Sequence, residues 1–263
     1  MTLIIPQSLL KYKEYIEKTK TSFISISTSI KPVTHLENSK FGGTPYWPEK
    51  TPYPEILNTP AKLLAQINFS ELTKQGITLP DFPKNGILQF FCPYEDDMLG
   101  LTFEDYNPDG YSHLVIYHED IDKIPSDSEF LVKISSNNEY MPFEKELSLS
   151  FELKEEYLSL NDDYQVQKFY NFPIPITDEE SDDFFENFNN AGSKLGGYAY
   201  FTQDDPRTYQ KIFKPEDDWI LLLQMDTDDN LMWGDSGVAN WFIKRQDLIN
   251  KNFKNVFYTW DCC

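Results

Sequence analysis

Five features of this chain carry residue types that could do chemistry. Gly234-Asp235-Ser236-Gly237 copies the surroundings of a trypsin-like serine nucleophile. That chemistry also needs a histidine base and a buried aspartate. The histidines are His35, His113 and His118, and Val33-Thr34-His35-Leu36 lacks the flanks of such a base. A cysteine-poor, acid-rich chain does not suit a secreted protease either. Asp226-x-Asp228-x-Asn230 opens like an EF-hand loop, which then requires Gly at position six and Glu at position twelve. Leu231 and Gly237 stand there, so an acidic hairpin turn between Met225 and Leu231 is expected instead. His113 and His118 are five apart in one expected strand and face opposite sides, so they do not share a metal. Gly42-Gly43 and Gly196-Gly197 lack the spacing of a phosphate loop and are expected to supply positive φ or close backbone approach. No metal, cofactor or complete catalytic set emerges.

The fifth is a pair of glutamines. Gln66 and Gln224 each sit mid-strand in an apolar run, with Asn68 or Asp226 two residues on and so on the same face. One reading is a solvent-facing strand edge, or a buried amide satisfying a loop backbone. The sharper reading is two amide/acid pairs lining a groove between two halves. Trp47 and Trp233, with Asp235 beside the latter, would wall such a groove, as aromatic residues do in ligand clefts.

The elements that must position these residues can be read from periodicity. Residues 6–18 predict a helix, with Leu9, Tyr12 and Ile16 on one face. Ile24, Ile26 and Ile30 alternate with serines as a strand. Five prolines between 41 and 60 predict a stiff irregular loop. Strands follow at 63–69, at 87–92 after the Asn85-Gly86 turn, at 113–118 and at 129–134. Residues 144–169 are mixed. Thr177-Asp178-Glu179-Glu180 is a capping box that starts a helix ending near Gly192. Strands return at 198–202, 219–226, 238–243 and 256–260, with a short helix at 245–251. The class is α+β with a largely antiparallel sheet.

The same vocabulary occurs twice. Ser39-Lys40-Phe41-Gly42-Gly43 reappears as Ser193-Lys194-Leu195-Gly196-Gly197. The run around Gln66 reappears around Gln224, and Gly86 to Phe91 as Gly237 to Phe242. The order is kept at nearly constant spacing. An internal duplication is expected, with halves at about 21–150 and 151–263 of one compact unit. Gly237 then reads as the partner of Gly86 rather than as part of a protease signature.

Net charge is −20, from 23 basic and 43 acidic residues in 263. Such a field repels nucleic acid and anionic membrane surfaces and attracts a basic partner. The three cysteines, Cys92, Cys262 and Cys263, include an adjacent pair and no CxxC, which fits a reducing compartment. No apolar stretch approaches the ~20 residues of a membrane span. A cytoplasmic location is expected.

The chain resembles the YwqG-like family, bacterial proteins of unknown function. The matching pieces are Gly42 to Pro48, Leu64-Ala65-Gln66-Ile67, Leu79-Pro80 with Gly86 to Phe91, Lys194 to Tyr198, Leu221 to Asp226, and Trp233 to Gly237. The resemblance implies a cytoplasmic α+β protein with duplicated halves and supplies no catalytic residues. Some relatives look like immunity or toxin-neighbourhood proteins. The leading expectation is therefore a non-catalytic binding protein for a basic protein partner, immunity-like as that resemblance implies. The alternative is a small-molecule binder or enzyme with its site between the halves, at Gln66, Asn68, Gln224, Asp226, Trp47, Trp233 and Asp235. Oligomeric state is not legible.

Overall fold

A computed structural model describes residues 4–102, 112–121, 128–135, 139–170, 176–214 and 216–263. Its strands are β1 (Thr21–Ser29), β2 (Lys40–Phe41), β3 (Glu55–Ile56), β4 (Thr59–Pro60), β5 (Lys62–Asn68), β6 (Ile87–Cys92), β7 (Leu114–His118), β8 (Leu147–Glu156), β9 (Lys194–Gly196), β10 (Trp219–Asp226), β11 (Val238–Lys244) and β12 (Phe257–Asp261). The helices are α1 (Lys13–Lys18), α2 (Phe69–Lys74), α3 (Ser128–Ser135), α4 (Asp163–Phe169), α5 (Asp178–Asn187) and α6 (Arg245–Ile249). The fold is α+β, and its sheet is antiparallel throughout the described pairings.

Ten strands form one sheet in the order β12-β11-β10-β9-β1-β8-β2-β5-β6-β7, and β3-β4 make a small separate ladder. The long strands β1 and β8 pair at the centre, Thr21 opposite Glu156 through Ser29 opposite Ser148. From them two arms run outward with the same plan: a short strand, then three antiparallel strands. The short strand of each arm sits beside the central strand from the other end of the chain. β2 pairs with β8, and β9 with β1.

The sheet curls as a half-barrel. Phe90 of β6 and Trp241 of β11 pack 5.3 Å apart although six strands lie between them in the sheet. The edges also approach. His113, before β7, bonds the Val256 carbonyl before β12 at 2.9 Å. Tyr117 packs on Phe253 at 5.4 Å. One apolar cluster draws on both arms and on β1 and β8. Burying that interior is the main favourable term in the fold.

Several sequence expectations are corrected. The first helix is a 3-10 turn (Gln7–Tyr12) running into α1, although Leu9, Tyr12 and Ile16 are buried together as expected. Ile30 lies past the end of β1 and is exposed. Residues 129–134 form helix α3, not a strand. Leu131 and Ile134, three apart, are buried, while Phe130 and Val132 point outward, so helical spacing prevails over apparent alternation. Residues 198–202 are irregular rather than a strand. Their amides donate to side chains instead of a neighbouring strand: Tyr198 to Glu156, Ala199 to Asp162, Tyr200 to Gln224 and Phe201 to Asn161. The capping box at Thr177 forms, but α5 ends at Asn187, five residues before Gly192. Among the described residues no helix is long and apolar enough to cross a membrane.

Candidate functional site

Gln66 and Gln224 are buried on equivalent inner strands, β5 and β10. Each folds the chain segment before the lysine-glycine block onto its own arm. The Gln66 Nε2 donates to the carbonyls of Leu36 and Asn38, both at 2.8 Å. Its Oε1 accepts from the Tyr46 amide at 2.9 Å and from Gln89 Nε2 at 2.7 Å. An amide has four hydrogen-bonding positions, and Gln66 fills all four. Gln224 Nε2 donates to the Asn190 carbonyl at 3.0 Å and the Gly192 carbonyl at 2.8 Å, while Oε1 accepts from the Tyr200 amide at 2.8 Å.

The neighbours match as well. Gln89 Nε2 donates to the Tyr46 carbonyl at 2.7 Å, and Asn240 Nδ2 to the Tyr200 carbonyl at 2.8 Å. Ser39 Oγ accepts from the Asn68 amide at 2.9 Å, and Ser193 Oγ from the Asp226 amide at 3.0 Å. The acid-side residues then differ. Asn68 caps α2 by accepting from the Ser70 amide, whereas Asp226 accepts from the Gly192 amide at 2.5 Å. Burial pushes the Asp226 carboxyl above the usual carboxylate range.

Lys40 and Lys194 are buried beside these amides. Lys194 Nζ lies 2.9 Å from Glu156, and Lys40 Nζ lies 3.4 Å from Glu146. Burial lowers both ammonium pKa values, opposed by those carboxylates. The glycine pairs make room for the acids. Gly42, Gly43, Gly196 and Gly197 all have φ between +65° and +78°. A Cβ at Gly43 would collide with the Glu146 carboxylate, and one at Gly197 with that of Glu156.

The structure thus separates the predicted site residues. β9, β1, β8 and β2 lie between β10 and β5 in the sheet, so Gln224 and Gln66 serve two different sockets. Trp47 is buried with Phe91 and Leu131, and its Nε1 donates to the Thr51 carbonyl at 2.8 Å. Trp233 is buried in the central cluster. Asp235 is exposed, and its carbonyl accepts from the Cys263 amide. Ser236 is also exposed, with φ +60°. The expected turn at 225–231 is present: Asp228 Oδ1 accepts from the Asn230 and Leu231 amides. Among the described residues no group of three or more His, Cys, Asp or Glu is placed to hold a metal ion.

Sequence reasoning missed a cleft beside Gly196-Gly197. It has a volume of about 430 Å³ and draws walls from β1, from the loop at Leu79 to Phe82, from α4 and from the start of β10. Four cations, Lys18, Lys20, Lys168 and Arg245, line it, with the acid Asp218. Arg245 is held by Asp81 and Asp218, each at 2.6 Å. These residues come from five separate chain segments, so no local motif announces them.

A family model described as a domain of unknown function, DUF1963, matches residues 39–262. No curated protein matches the chain.

Proposed function

The chain belongs to that family of unknown function, and within it we propose a non-catalytic binding protein for a basic protein partner. The observation that supports this is where the charge sits. Four carboxylates are buried among the described residues, Asp162, Glu180, Asp205 and Asp226, and the other described acids reach solvent. Helix α5 concentrates them. Asp178, Glu179, Asp182 and Glu186 are exposed around Phe185, itself 43% exposed. Acidic groups steer a basic partner, and an exposed aromatic ring is an anchor that truncation can test. An immunity-like role fits such a surface.

The test is capture from the native host at low and at moderate salt. A basic protein should be recovered at low salt and lost in a Glu179→Lys, Asp182→Lys, Phe185→Ala variant. Recovery of no partner at either salt would sink the reading.

We also infer an internal duplication, with halves at about 21–150 and 151–263. Matched sockets support it: Lys40 and Lys194, Gln66 and Gln224, Gln89 and Asn240 perform the same bonds in the same order. A cytoplasmic location and the YwqG-like kinship belong to the same reading. The three unbridged cysteines support the former. A second functional reading, a small-molecule site between the halves, is favoured by one observation: both halves wall the cleft beside Gly196-Gly197.

A further inference from the structure

We propose that this cleft binds a nucleoside 5′-monophosphate, a reading that rests on a small-molecule site between the halves. The first reason is a local inversion of charge. The chain carries 43 acidic and 23 basic residues, yet this cleft is lined by Lys18, Lys20, Lys168 and Arg245 against the single acid Asp218. Arg245 is already held by Asp81 and Asp218, so the lysines supply the charge. Lys20 pairs with Glu155 at 2.8 Å, both groups about half exposed. Such a surface pair is worth about 0–1 kcal/mol and yields readily to a phosphate. Lys168 Nζ donates to the Asp217 carbonyl at 3.2 Å and stands 4.3 Å over the Tyr164 ring. Those neighbours leave its positive charge without a carboxylate.

The second reason is an aromatic platform. Phe169, next to Lys168, is 46% exposed and lines the cleft. It packs edge-on against Tyr198, with ring centroids 6.4 Å apart, which holds its orientation. Leu79 and Phe82 extend the apolar wall behind it. A flat base has a face for such a ring, and stacking of this kind is worth about 1–3 kcal/mol. The volume of about 430 Å³ is in the range of small-molecule sites. The overall charge of −20 does not oppose this. Fields from exposed charges fade beyond about 8 Å at physiological salt, so the cleft's own cations decide the affinity of a small anion.

The full chain is titrated with AMP, GMP, UMP and CMP, with adenosine and inorganic phosphate alongside. At least one nucleotide should saturate with a dissociation constant below about 1 mM, weakening as salt rises. Lys18→Glu with Lys168→Glu should weaken it more than tenfold, and Phe169→Ala several-fold. All three side chains are exposed, so each variant should keep the parent's melting temperature within a few degrees. Saturation by no probe overturns the proposal. So does nucleotide binding that survives the double lysine variant. Binding of inorganic phosphate alone, lost in that variant, overturns the nucleotide class while leaving a site between the halves standing.

Discussion

Gln66 and Gln224 show why a polar residue inside an apolar strand need not be a ligand contact. Loop segments 36–38 and 190–192 turn carbonyls toward the two glutamines, and a buried unpaired carbonyl costs about 1–3 kcal/mol. A glutamine amide supplies two donors at the right reach. Gln224→Ala is expected to cost about 3 kcal/mol in urea unfolding, and Gln66→Ala at least as much. The double variant tests their separation. Independent sockets give additive costs within about 0.5 kcal/mol. A large coupling energy would mean one shared network. His113 makes a pH prediction at the same scale. Burial lowers its pKa from 6.5 to about 4, while the Val256 carbonyl raises it in part. The unfolded chain therefore binds the extra proton first. Stability from this group is full above pH 6.5 and is lost as pH falls toward 4. The urea midpoint should drop over that window and flatten in His113→Gln.

Elements carry the next lesson. Helix α5 was legible because its start signal is local: Thr177 Oγ1 accepts from the Glu180 amide, and the Glu180 carboxylate accepts from the Thr177 amide. Glu180 also pairs with Lys11 at 2.6 Å, which with the Thr177 amide holds its carboxyl down at about 2. Thr177→Ala should cost about 1 kcal/mol, read as a shift in the thermal midpoint. The segment 198–202 differs from its expected strand because its aromatic, β-favouring residues donate their amides to distant side chains. One of these, Asp162, is buried with Arg207 at 2.6 Å, and Asp205 completes the knot at 2.8 Å. Arg207 also stacks 4.2 Å over the Phe242 ring. Arg207→Leu leaves two buried carboxylates uncompensated and should cost about 3–5 kcal/mol in the same assay. Helix α3 was misread for a related reason: six apolar-rich residues fit either period, and only the burial of Leu131 and Ile134 chooses.

For the whole molecule, the central fact is that each arm begins on a strand from the other end of the chain. β9 leans on β1, and β2 on β8. Neither arm can keep its sheet if the other unfolds. A single calorimetric transition is therefore expected, with equal calorimetric and van't Hoff enthalpies. Two resolved transitions would show that the halves are independent. Trp241→Ala, which removes the contact with Phe90 across the curl, should lower that one transition by about 3–5 kcal/mol.

The sequence by itself determined the α+β class, the repeated Lys-x-Gly-Gly and Gln blocks, the Thr177 cap and most inner strands. Each of these depends on neighbours close in the chain or on a pattern that recurs along it. Only the tertiary structure decided that the two glutamines occupy separate sockets, since four strands intervene between them. It alone brought Lys18, Lys20, Lys168 and Phe169 to one cleft. Strand order and sheet curl are set by burial summed over the whole chain, and spacing along the sequence holds no record of that sum.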